Sequence, residues 1–77
     1  MAKVKVELFG VVAEICGAKH MQLENSSILE IKELLNSMHP ELKNISLIYA
    51  VNNSIIEKNK NLADGDVIAV MPPFSGG

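Results

Sequence analysis

The chain has 77 residues, 48% of them hydrophobic, and a formal net charge of −2. That length admits one domain near the lower limit of unaided folding, where about 60% of the extended-chain surface is buried. All seven basic residues are lysines, and without arginine, the side chain best matched to phosphates and base edges, dedicated nucleic-acid binding is not expected. A lone cysteine, Cys16, excludes an internal disulfide, and with only His20 and His39 beside it there is no zinc-ligand spacing. Met1 to Lys5 lack the apolar segment of a signal peptide, and no apolar run approaches a membrane span. A reducing, cytoplasmic setting away from membranes is therefore expected. The aromatics are only Phe9, Tyr49 and Phe74, so the core must be aliphatic.

Lys3–Phe9 alternates, with Val4, Val6 and Leu8 on one face and Lys3, Lys5, Glu7 and Phe9 on the other. This predicts a strand with one buried face, on whose charged side Phe9 is the exception. Gly10 ends it, and Val11–Cys16 is long enough for a short helical turn closed by Gly17. Lys19–Glu24 alternates again and predicts a second strand. Ser27 followed by Glu30 has the capping-box spacing, and Ile28, Ile31, Leu34, Leu35 and Met38 form one helical apolar stripe ended by His39-Pro40. Leu47–Val51 reads as a strand buried on both faces, Asn52-Asn53 as a turn and Ser54–Glu57 as a short return strand. Asn59–Ala63 is a polar loop anchored by Leu62, Asp64-Gly65-Asp66 a tight turn, and Val67–Met71 the last strand. One amphipathic helix across one face of a mixed sheet is an α+β solution. With the first and last strands parallel neighbours, it is the β-grasp (ubiquitin-like) roll. Residues 1–71 form that domain, and residues 72–77 are a flexible Gly-Gly tail.

The tail, Pro72-Pro73-Phe74-Ser75-Gly76-Gly77, follows the last strand with no polar linker. Two prolines cannot continue a central strand and favour an extended path away from the domain. Gly76 and Gly77 can thread where wider residues cannot. The only chemical group expected at the tip is the Gly77 α-carboxylate. Ser-Gly-Gly also describes an ordinary frayed end; its position directly after a core strand favours a substrate-like arm offered to another protein's active site.

Three segments carry a resemblance. They are Val4-Lys5-Val6-Glu7-Leu8-Phe9-Gly10 with Glu14 and Gly17; His39-Pro40-Glu41-Leu42 with Ala50-Val51-Asn52; and Leu62–Val67 running into Pro72–Gly77. Over nearly its whole length the chain resembles the small, sulfur-carrying subunits of molybdopterin synthase, which are ubiquitin-like proteins. Ala13 stands where that family often has arginine, and Phe74 where valine is usual. The resemblance implies that Gly77 is adenylated by an ATP-using enzyme of the ubiquitin-activating type and then becomes a thiocarboxylate, with sulfur from a donor protein. It also implies that Pro72, Pro73, Phe74 and Ser75 lie in a channel of the large subunit, within a heterotetrameric synthase. There the Gly76-Gly77 tip gives sulfur to a cyclic pyranopterin precursor of the molybdenum cofactor. On this reading the chain binds no cofactor, and the acid–base side chains belong to the partner. Related carriers serve thiamin thiazole formation or tRNA thiolation, and a ubiquitin-like modifier would be joined through Gly77 to lysines of other proteins.

Other candidates are weaker. Cys16 has Glu14 as its nearest charge in sequence and reads as a small core residue rather than a reactive thiol. His20 reads as a surface residue and His39 as a helix end. Asp64 and Asp66 lack the further ligands that calcium needs, so no metal site is expected. Phe9 and Met71, at the ends of neighbouring strands, face away from the helix, and Ile55 or Ile56 must point the same way. Phe9, Ile55 and Met71 are accordingly the expected partner interface.

Overall fold

The computed structural model describes residues 2–73. Strands β1 (Ala2–Leu8), β2 (His20–Asn25), β3 (Ile48–Val51), β4 (Ser54–Ile56) and β5 (Val67–Met71) form one sheet in the order β2-β1-β5-β3-β4. The two α-helices are α1 (Gly10–Cys16) and α2 (Ile28–Met38), and a 3₁₀ helix covers Pro40–Asn44. β1 and β5 are parallel, and the other pairs are antiparallel. This is the expected α+β β-grasp roll. β5 has the expected bounds and the other strands differ from theirs by one residue at one or both ends; β1 stops before Phe9, which caps the start of α1.

Alternation decides which side chains enter the core. Val4, Val6 and Leu8 of β1, Ile68 and Val70 of β5, and Tyr49 and Val51 of β3 meet Ile28, Ile31 and Leu35 of α2. Val12 of α1 and Leu42 of the 3₁₀ helix close the ends, and Tyr49 is the only aromatic in this otherwise aliphatic cluster. The 3₁₀ helix has no counterpart in the sequence reading. Pro40 starts it, where proline's missing N–H costs nothing. Leu42, 1% exposed, plugs the core.

The start of α2 is held from two directions. Ser27 Oγ accepts from Glu30 N at 3.3 Å, while Glu30 Oε1 accepts from Ser26 N at 2.7 Å, one residue before the amide of the usual capping box. The loop before β5 supplies the rest. Ile28 N donates to Lys60 O at 3.0 Å, and Leu29 N donates to Asn59 Oδ1 at 2.8 Å. The first three amides of the helix, which have no intrahelical acceptor, are thus all engaged. Leu62 N donates to Ser26 O at 2.8 Å, and Leu62 packs against the core as the expected anchor.

Asn52 and Asn53 both have positive φ, 50° and 71°, the signature of a two-residue type I′ hairpin turn. That turn sets the β3–β4 register, with Ala50 opposite Ile55 and Tyr49 opposite Ile56. Paired residues share a face, so Ile56 turns inward with Tyr49. Ile55 is the isoleucine on the open face.

Candidate functional site: the open sheet face and the tail exit

The face not covered by α2 divides into two halves. Toward β2 it carries Lys3, Lys5 and Glu7 opposite Glu24, Gln22 and His20, with Lys5 Nζ 4.0 Å from Glu7 Oε2. A depression of about 650 Å³ lies there, lined by Lys3, Lys5, Gln22, Glu24 and Gly65, at the opposite strand ends from Pro72. Toward β4 the same face is apolar. Val67, Ala69 and Met71 of β5 alternate outward, Ala50 and Ile48 of β3 pair with Ala69 and Met71, and Ile55 pairs with Ala50.

Phe9 and Met71 come together as expected, one step beyond the Leu8–Val70 pair. Phe9 N donates to Val70 O at 3.1 Å, and the residue stays extended, with φ −124° and ψ 151°, so the alternation carries its ring to the open face. Phe9 is 45% exposed and Ile55 67% exposed. Ile48 and Ala50 belong to this face although the sequence reading did not single them out. The signal was the reading of Leu47–Val51 as buried on both faces, which requires a second apolar layer.

The tail begins at the rim of this apolar half. Gly10 has φ +57°, and a Cβ there would stand 3.2 Å from Pro72 Cγ, so its bare Cα leaves room for the proline ring beside the start of α1. Phe74, Ser75, Gly76 and Gly77, which carry the expected chemistry, lie outside the described residues.

At the other end of β5, the Asp64-Gly65-Asp66 turn clasps three segments. Asp64 Oδ1 accepts from Lys3 N at 2.8 Å, Asp66 Oδ2 from Ala63 N at 2.9 Å and Asp66 Oδ1 from Asn52 Nδ2 at 3.0 Å. Asn52 Oδ1 in turn accepts from Val67 N at 2.9 Å. The Ala63 amide, then the Asn52 amide group, hold the Asp66 carboxyl below its ordinary pKa of 3.8. These carboxylates are structural acceptors, and among the described residues no cluster of three metal-ligating side chains occurs.

Cys16 is half-buried, and burial, then the nearby Glu41 charge, push its thiol above the ordinary value of 9.0. Both effects disfavour the thiolate a nucleophile needs. His20 is exposed on the edge strand, and the His39 amide donates to Leu35 O at the end of α2. His20 pairs with Glu7, two residues before Phe9, but across β1 from β5 and the tail exit. Among the described residues, no helix is long and apolar enough to cross a membrane.

Comparison with known proteins finds relatives that match over the length of the chain. Residues 6–77 match the ThiS family. The molybdopterin synthase sulfur carrier subunit of Homo sapiens is 31% identical, over 100% of this chain and 97% of its own. A chain of the complex of subunits 1 and 2 of the molybdopterin-converting factor from Helicobacter pylori is a similar structure, with a TM-score of 0.73 and 28% identity, over 97% of this chain and 99% of that one. Small archaeal modifier protein 1 from Methanosarcina acetivorans is also similar, with a TM-score of 0.84 and 28% identity, over 100% of this chain and 98% of that one.

Proposed function

The chain belongs to the ThiS family, and from that premise we propose that it is the sulfur-carrying small subunit of a molybdopterin synthase. The observation that carries this reading is the exit of the tail, where Pro72 leaves β5 against Gly10, beside Phe9, at the rim of an apolar open face. A partner seated on that face receives the tail from a fixed root.

The Gly77 carboxylate, with an ordinary pKa near 3.5, is ionised and a poor electrophile at neutral pH. Its oxygen attacks the α-phosphorus of ATP on an adenylating enzyme, pyrophosphate leaves, and a mixed anhydride forms. A sulfide equivalent from a donor protein attacks the acyl carbon, AMP leaves, and a thiocarboxylate remains. The tail then enters the large subunit through Pro72, Pro73, Phe74 and Ser75, with Gly76 thin enough to pass, and sulfur goes to a cyclic pyranopterin precursor. ATP serves the activating enzyme, the chain itself holds no cofactor, and the acid–base side chains belong to the large subunit. Phe9, Ile55 and Met71, with Ile48 between them, form the docking contact. The Helicobacter pylori complex of subunits 1 and 2 supports a partnership of this kind.

A second reading, conjugation of Gly77 to lysines of other proteins, is favoured by the likeness to small archaeal modifier protein 1. One experiment separates the two. The full chain is incubated with adenylating enzyme, ATP and sulfur donor, and its mass is measured before and after adding the large subunit. Sulfur transfer gives an oxygen-for-sulfur exchange at Gly77 that is lost when the large subunit and precursor are added. Isopeptide-linked adducts without that exchange would favour the modifier. Removing Gly77 abolishes both chemistries, so a truncated chain that kept full activity would sink each reading.

A further inference from the structure

On the helix side of the sheet, away from the proposed partner face, α2, the 3₁₀ helix and β3 enclose a groove of about 170 Å³. Leu42 and Ile45 line its apolar part, and its polar groups are Lys32, Asn36, Lys43 and Tyr49. Lys32 and Asn36 stand one turn apart on α2, at the i, i+4 spacing that places side chains over the same side. Lys32 Nζ lies 5.0 Å from the centre of the Tyr49 ring, a cation–π contact that holds the ammonium over the groove. Among the described residues neither lysine has a carboxylate within 4.0 Å, and the one ion pair is Lys5–Glu7. Tyr49 is only 5% exposed, yet its hydroxyl has no hydrogen-bond partner among the described residues and is not sealed from the surface. Burial pushes its pKa up to about 12, so at neutral pH it is a donor.

We propose that this groove is a phosphate-binding site, with the Lys32 and Lys43 ammoniums, the Asn36 amide and the Tyr49 hydroxyl as its donors. Donor groups converging from three elements, α2, the 3₁₀ helix and β3, suit a tetrahedral anion better than a planar carboxylate, which is matched by a guanidinium fork. Lysine binds phosphate as a point charge, so the lack of arginine is no obstacle. Partial burial over Leu42 and Ile45 strengthens the attraction relative to open solvent. The site stands independently of the sulfur-carrier reading.

The test is an amide NMR titration of the full chain with inorganic phosphate and, separately, with AMP, at constant ionic strength set by chloride. Saturable shifts are expected at Lys32, Asn36, Lys43 and Tyr49. Tyr49→Phe, which removes only the hydroxyl, weakens binding about tenfold, as loss of a hydrogen bond to a charged group should. Lys43→Gln, at an exposed position, does the same without touching the core. Saturation by both ligands makes the phosphate group itself the ligand, and saturation by AMP alone at these four amides makes it a nucleotide's phosphate. Shifts that never saturate, that spread over Lys3, Lys5, Lys58 and Lys60, or that persist unchanged in both variants overturn the proposal.

Discussion

Phe9 stands 45% exposed at the end of β1 on a side otherwise occupied by lysine and glutamate, so a carboxylate there costs the fold little. If the apolar half of the open face docks the large subunit, Phe9→Asp buries a charge in that contact. Binding should then weaken at least about tenfold, the range of interface hot spots. Calorimetry against the large subunit checks this, with an unchanged thermal midpoint as the control; wild-type affinity would remove Phe9 from the interface. Parity alone placed Phe9 and Met71 on the open side. It could not choose between Ile55 and Ile56, because that choice hangs on the two-residue Asn52-Asn53 turn and the register it imposes. Asp66 makes a prediction of another kind. Its folded pKa is depressed, so the stability it contributes is present above the ordinary value of 3.8 and is lost as pH falls through the lower folded value. Urea midpoints followed downward from pH near 5 should fall more gently in Asp66→Asn than in the wild-type chain. Parallel curves would mean that the clasp does not sense the charge.

Among the elements, α2 was the most readable, since its stripe and its Ser27–Glu30 spacing are local. What the sequence hides is that a loop about thirty residues later completes the cap. Asn59→Ala should cost about 1 kcal/mol by leaving the Leu29 amide without its acceptor, close to the roughly 1 kcal/mol expected of Ser27→Ala. Equilibrium urea unfolding of the two single variants and the double variant measures both terms. An Asn59→Ala chain as stable as wild type would mean that water replaces the bond freely. The 3₁₀ helix escaped notice for the same reason, because only Pro40 marks it locally and its purpose is to seat Leu42 in a core built by distant strands. The groove at Lys32 and Tyr49 was hidden too, since it exists only where a helix and a strand far apart in sequence are juxtaposed.

For the whole molecule, the sheet separates two tasks. Its inner face is the aliphatic core that holds the domain together, and the core residues of β5, Ile68 and Val70, lie before Pro72. Truncation after Pro73 removes none of these core residues, so a change in stability below about 0.5 kcal/mol is expected, which in a domain of this size is a shift of the thermal midpoint of less than about 4 °C. Sulfur transfer would be abolished. A large drop in the midpoint would mean that the last four residues also serve the fold. The roll itself was readable because each strand's alternation, each turn and the one long helix agree with the same topology. The chemistry proposed for the tail rests on residue identities at its tip, which lie outside the described residues.

The position of β5 between β1 and β3 bears on how this protein is made. A chain leaving the ribosome emerges from its amino end, so the middle plank of this sheet is the last to appear. Until Val67–Met71 is free, β2-β1 and β3-β4 are two separate hairpins with no shared ladder between them. Closure waits for a contact spanning most of the chain, a slow kind of step. The sheet and the residues that follow it are therefore finished together, and a prematurely terminated copy would have neither a closed sheet nor those residues.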